Sequence, residues 1–175
     1  MDRNLKETYL KKVKSERSLL EKIMTVFPGY RGYREKEMLR ETDKLIRDEL
    51  IKELKAAKEQ LFDIERDFIS DKDMRTAKRI EKLLMRVDTM TEKIRHATYG
   101  YAPRLNVIEV REKQLLKLME FDANLATLIT ALRNEIDNFP PEDDGRKSIV
   151  SIGRILRKLE REYEKRDKYM LGLME

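Results

Sequence analysis

The chain has 175 residues, 42% of them charged, and its 39 basic and 34 acidic side chains leave a net charge of +5. It has no cysteine, which excludes disulfide frameworks, thiolate zinc sites, iron–sulfur clusters and cysteine nucleophiles. The length suits one domain with its own core, residues 1–175. Scarce glycine (6) and proline (4) amid abundant Lys, Glu, Arg and Leu predict long helices.

Helix 1 is expected over Leu5–Val26, with Leu5, Tyr9, Val13, Leu20, Ile23 and Phe27 along one side. Phe27-Pro28-Gly29-Tyr30-Arg31-Gly32 breaks it, since proline and glycine together mark a loop. Helix 2 is expected from Tyr33 to Phe68. Its stripe is Met38, Thr42, Leu45, Ile46, Leu50, Leu54, Ala57, Leu61, Ile64 and Phe68. A helix of that length is a rod of roughly 54 Å, and it points to coiled-coil-like packing. Ser70 followed by Asp73 resembles a capping box that opens helix 3. Ala77, Ile80, Leu84, Val87, Thr91, Ile94 and Thr98 then repeat at heptad spacing.

Tyr99-Gly100-Tyr101-Ala102-Pro103 ends helix 3, and helix 4 follows over Asn106–Asn138. Leu115, Leu118, Phe121, Leu125, Leu128, Ile129, Leu132 and Ile136 give it a face broad enough for two neighbours, with Asp122 on the flank of that stripe. Phe139-Pro140-Pro141-Glu142-Asp143-Asp144-Gly145 interrupts the chain. Helix 5, about residues 146–173 and a candidate separate packing unit, carries Ile149, Ile152, Leu156, Leu159, Tyr163, Met170 and Leu173. The fold class is all-α: an up-down bundle of about five helices in which helices 2 to 4 are long and coiled-coil-like.

An acidic stretch, residues 105–145, lies between basic stretches over 70–104 and 146–175, so the charges are expected to satisfy one another inside the bundle. A nucleic-acid binder more often gathers one sign on one face, and any such binding is expected to be weak and to collapse as salt rises. Dense mixed charge with only Gln60 and Gln114 as glutamines fits a heat-loving source, where ion-pair networks count for more. The start, Met1 to Glu7, has no apolar signal core, and no apolar run approaches the roughly 18 residues of a membrane span. The cytoplasm is the expected compartment.

Catalytic constellations are missing. The single histidine, His96, rules out paired Glu-x-x-His motifs, no glycine-rich loop follows a strand, and no serine sits in a nucleophile elbow. Neither an enzyme nor a cofactor is expected. Glu92 and His96 on helix 3, with Glu37 and Glu41 on helix 2, could surround one metal ion, but surface ion pairs and a hydrogen-bonded histidine are the plainer expectation, so no metal is assigned.

Two loops hold four of the seven tyrosines. In an up-down bundle the helix 1–2 and helix 3–4 connections share one end, so Tyr30, Arg31, Tyr33 and Arg34 should lie near His96, Tyr99, Tyr101 and Arg104. Arginine can grip phosphate or carboxylate with two parallel bonds, and tyrosine can stack or donate, so these eight residues are the candidate ligand site. The alternative is that Phe27, Tyr30 and Tyr33 simply cover the bundle end.

The run Phe27-Pro28-Gly29-Tyr30-Arg31-Gly32-Tyr33-Arg34-Glu35-Lys36-Glu37, with the later His96-Ala97-Thr98-Tyr99-Gly100-Tyr101, resembles a pattern in a prokaryotic helical-bundle family. The resemblance spans the first two thirds of the chain and implies a helical fold with no particular activity. The expected role is a non-catalytic protein-interaction or scaffold module, self-associating through the helix 2–helix 3 hairpin, where Leu54, Leu61 and Phe68 need cover. Binding of RNA or another phosphorylated ligand at the Tyr/Arg end is the alternative.

Overall fold

The computed structural model describes residues 3–30, 36–96, 112–140 and 145–171, with side chains from residue 14 onward in α1, from residue 41 in α2, and in α4 at residues 114 and 116–137. The described residues form five helices and no strand: α1 (Arg3–Val26), α2 (Lys36–Ser70), α3 (Met74–His96), α4 (Glu112–Asp137) and α5 (Arg146–Met170). The chain is all-α. Both periodic stripes of the long hairpin are buried as their spacing requires: Ile46, Leu50, Leu54 and Leu61 on α2, and Ala77, Ile80, Leu84, Val87 and Ile94 on α3.

Cross-helix bonds give the directions. Lys58 bonds Asp88 at 2.7 Å and the Asp73 amide donates to the Phe68 carbonyl, so α2 and α3 are antiparallel. Asn124 bonds Glu162 and Ser151 bonds Glu135, which makes α4 and α5 antiparallel. Arg133 pairs with Glu53 and Gln60 bonds Asp137, so α2 and α4 are parallel. These four helices alternate up and down around one core, to which α5 contributes Ile152, Leu156 and Leu159.

Helix α1 does not sit mainly beside α2, as a short connection suggests. It packs chiefly against α4. Over residues 118–126 α4 is buried almost all round (Leu118, Met119, Phe121, Asp122, Ala123, Leu125 and Ala126), whereas further on only Ile129, Leu132 and Ile136 are. α1 provides that extra cover, because the broad α4 face can serve two neighbours.

The turn between α2 and α3 differs from expectation by three residues. Ser70 is the last residue of α2, and its hydroxyl donates back to the Arg66 carbonyl. Lys72 takes the left-handed conformation (φ 64°). Asp73 is the cap, accepting the Thr76 amide at 3.1 Å, and its bonds to Thr76 hold its carboxyl below the usual carboxylate range. Leu54 and Leu61 are fully buried and Phe68 is half-buried against Phe139, so the chain covers them itself. The need for a second chain to cover these three positions disappears.

Candidate functional site

Two places merit description as sites: the tyrosine-bearing end of the bundle and the outer face of the α2–α3 hairpin.

At the first, Phe27 and Tyr30 follow α1 into the core, and Gly29 (φ 86°) makes the turn that a side chain would resist. Tyr30 is 2% exposed, and its hydroxyl donates to Asp122 Oδ2 at 3.0 Å. Asp122 is not on a flank, as its place beside the Phe121–Leu125 stripe suggested. It is 0% exposed, because α1 covers the side of α4 that the two-neighbour picture leaves open.

Arg166 of α5, 1% exposed, donates through Nε to Asp122 Oδ1 at 2.6 Å and through NH1 to Asp43 Oδ1 at 2.7 Å. Asp43 also accepts from Arg47, one turn along α2. Two carboxylates and two guanidiniums thus neutralise one another among three helices, with Tyr30 joining from the end of α1. Buried charges persist only when paired and hydrogen-bonded like this.

Beside this network Asp167 is half-buried, and burial with the nearby Asp43 charge pushes its carboxyl up. Burial also pushes the Tyr163 hydroxyl above its usual range. That hydroxyl is buried with no hydrogen-bond partner among the described residues. An unmade buried bond costs about 1–3 kcal/mol, so Tyr163→Phe should raise the urea midpoint by the equivalent of about 1 kcal/mol. A loss of stability would show that the hydroxyl is satisfied.

Of the sequence-predicted site residues, Tyr30 is thus held within the bundle. His96 ends α3, at the same end of the hairpin as the start of α2, and its exposed ring lies 3.2 Å from Glu92. Glu92 also pairs with Arg95. Arg31, Tyr33, Arg34, Tyr99, Tyr101 and Arg104 lie outside the described residues, as does the side chain of Glu37. Among the described residues no three His, Asp or Glu side chains converge on a common point as a metal ion needs. None of the described helices is long and apolar enough to cross a membrane.

The second place is an exposed stripe that the sequence reading missed. Lys58, Phe62, Glu65 and Ile69 follow one another along one side of α2 at i, i+4, i+7 and i+11. On α3, Met74, Lys78, Glu81, Met85 and Asp88 follow one another along one side at i, i+4, i+7, i+11 and i+14. The Lys58–Asp88 bond sets the two stripes side by side. Phe62 and Met85 are 55% and 63% exposed, and Ile69 and Met74 about half exposed. The signal was available, since these four large apolar residues fall outside the core heptads of their helices.

Comparison with known proteins supplies no family: no family model, curated protein or solved structure matches the chain.

Proposed function

We propose that the chain is a non-catalytic helical interaction module that associates with its own kind through the outer face of the α2–α3 hairpin. The observation that carries this reading is the stripe Phe62, Ile69, Met74 and Met85, four large apolar side chains exposed on one side of one hairpin. Single surface apolar residues are ordinary, whereas several gathered on one two-helix face favour an interface there. The buried core behind the stripe gives that face a continuous support, and most pre-organised interfaces move little on binding.

Light scattering should find a dimer at tens of micromolar, and Phe62→Glu should convert it to a monomer with unchanged helical content. Phe62 is more than half exposed and lies outside the core cluster, so its replacement should move the melting temperature little. A wild-type chain that stays monomeric at that concentration would sink the proposal.

A further inference from the structure

Along the chain the charges of α5 alternate in sign, but on the folded helix the two signs separate. Every exposed residue of α5 is a lysine or an arginine except Val150. The exposed residues of α2, α3 and α4, by contrast, mix both signs with neutral side chains. Arg154, Arg157, Lys158, Arg161, Lys165 and Lys168 stand at i, i+3, i+4, i+7, i+11 and i+14. That spacing holds them within about 100° of one another around the axis, in a row about 21 Å long. Only Lys165 of this row forms an ion pair with a described residue.

The acids of α5 turn to its flanks. Glu160 and Glu164 pair with Lys93 of α3. Glu162 accepts from Asn124 of α4 at 2.8 Å and lies 3.5 Å from Lys165. Asp167 is half-buried on the inner side, beside the Arg166 network. From α4, Glu135 accepts from Ser151 at 3.0 Å, three residues before the row begins, and the α4 residues beside Lys158, Arg161 and Lys165 are the neutral Asn124, Thr127 and Leu128. Seven cations, Lys93 included, thus stand against four flanking carboxylates, Glu135, Glu160, Glu162 and Glu164, and positive charge is in excess. One sign gathered on one face is what a nucleic-acid binder shows, and α5 has it although its sequence alternates.

We propose that this face of α5 binds double-stranded DNA through the phosphate backbone. It is independent of the hairpin face, which lies on α2 and α3. A duplex carries one negative charge per about 1.7 Å of axis, so a linear row of cations can neutralise several phosphates and release their counterions. The large apolar residues of α5 lie in the core or against it, so apart from Val150 this face has nothing to insert into a lipid surface, the other partner of basic helices. An exposed helix is a ridge, which the wide major groove of B-form DNA receives and the deep, narrow one of A-form RNA does not. The row offers cations alone, so its contacts go to phosphate and binding should be indifferent to sequence.

Fluorescence anisotropy of the whole chain with a short labelled DNA duplex tests this. If four phosphates are neutralised, affinity should fall roughly a hundredfold between about 50 and 200 mM salt. Lys158→Gln with Arg161→Gln should lower the slope of log affinity against log salt by about 2, with an unchanged circular dichroism spectrum. Lys158→Glu with Arg161→Glu should abolish binding. Lys44→Glu with Lys55→Glu makes the same change in net charge at exposed positions of α2. That pair should leave affinity within about threefold, because salt screens exposed charges beyond a Debye length. Equal losses from the two Glu pairs would trace the binding to net charge and overturn the α5 face. Tighter binding to duplex RNA or to phosphatidylserine vesicles would overturn the choice of DNA, and no binding at low salt would overturn the proposal outright.

Discussion

Arg166→Ala should destabilise the protein by about 3–5 kcal/mol, measured by urea denaturation at neutral pH. Its guanidinium is 1% exposed and bonds both Asp122 and Asp43, so truncation strips a cation from between two buried carboxylates. The penalty comes from the charges left behind, more than from the loss of the bonds themselves. This cause has its own signature. In the variant the Asp122 carboxyl, buried without its cation, should have a raised folded-state pKa, so the folded form takes up protons more readily than the unfolded one. Stability lost at neutral pH should then be partly regained as pH falls. A mere packing defect would not recover in acid. Arg166→Lys should fall between, because an ammonium keeps the charge but cannot span both carboxylates as the planar fork does. Lys93→Ala is the control. Lys93 pairs with Glu160 and Glu164 at an exposed site, where such pairs contribute under about 1 kcal/mol. An Arg166→Ala loss no larger than that of Lys93→Ala would mean that water reaches the network.

Gly145→Ala is expected to cost about 2–5 kcal/mol, from two independent sources. Gly145 has φ 59°, which a residue with a Cβ adopts at a cost of about 1–2 kcal/mol. The new methyl would also stand 2.4 Å from Cζ of Phe139 and 2.6 Å from Cε1, deep inside contact distance. Phe139 cannot yield freely, because its ring meets Phe68 edge-on at 6.1 Å between centroids. Displacing a packed ring adds about 1–3 kcal/mol. Gly153 provides the contrast. It lies within α5, and a Cβ there would meet Leu83 at an ordinary 3.5 Å. Gly153→Ala should be neutral or stabilising by up to about 1 kcal/mol, through helix propensity. Thermal melts of the two variants compare them directly. Equal effects would show that Phe139 swings aside without cost.

Apolar periodicity was enough to predict the helices, because in each case burial on one face demands it. The stripes through Leu50–Leu61 and Ile80–Ile94 lie in the core at the expected spacing. Helix boundaries were less legible. Ser70 and Asp73 are both good cap residues, and only the left-handed turn at Lys72 selects Asp73. The ionic network escaped notice because periodicity counts apolar residues and treats charge as surface. Yet Asp122 lies four residues after Leu118 and three before Leu125, and Arg166 lies three after Tyr163 and four before Met170. Charges of opposite sign on two core stripes are a readable sign of a buried pair. Asp43 and Arg47 send the same signal, each three residues before a buried apolar residue, Ile46 and Leu50. The position of α1 was not readable, since its narrow apolar face fits α2 or α4 equally well.

The turn at Lys72 and the cluster around Arg166 also imply an order of events as the chain folds. Contacts across the α2–α3 turn join near neighbours in sequence, so the entropy lost in closing them is small. Tyr30 and Asp122 are 92 residues apart, and Asp43 and Arg166 are 123 apart, so their bonds close nearly the longest loops the chain has. The hairpin should therefore form early and the Arg166 cluster late, once α4 and α5 have docked. Substitutions at Arg166 should then act mainly by speeding unfolding, while substitutions along the α2–α3 seam slow folding. The ionic cluster works as a latch: it does little to start the bundle folding, and it sets how long the finished bundle stays shut.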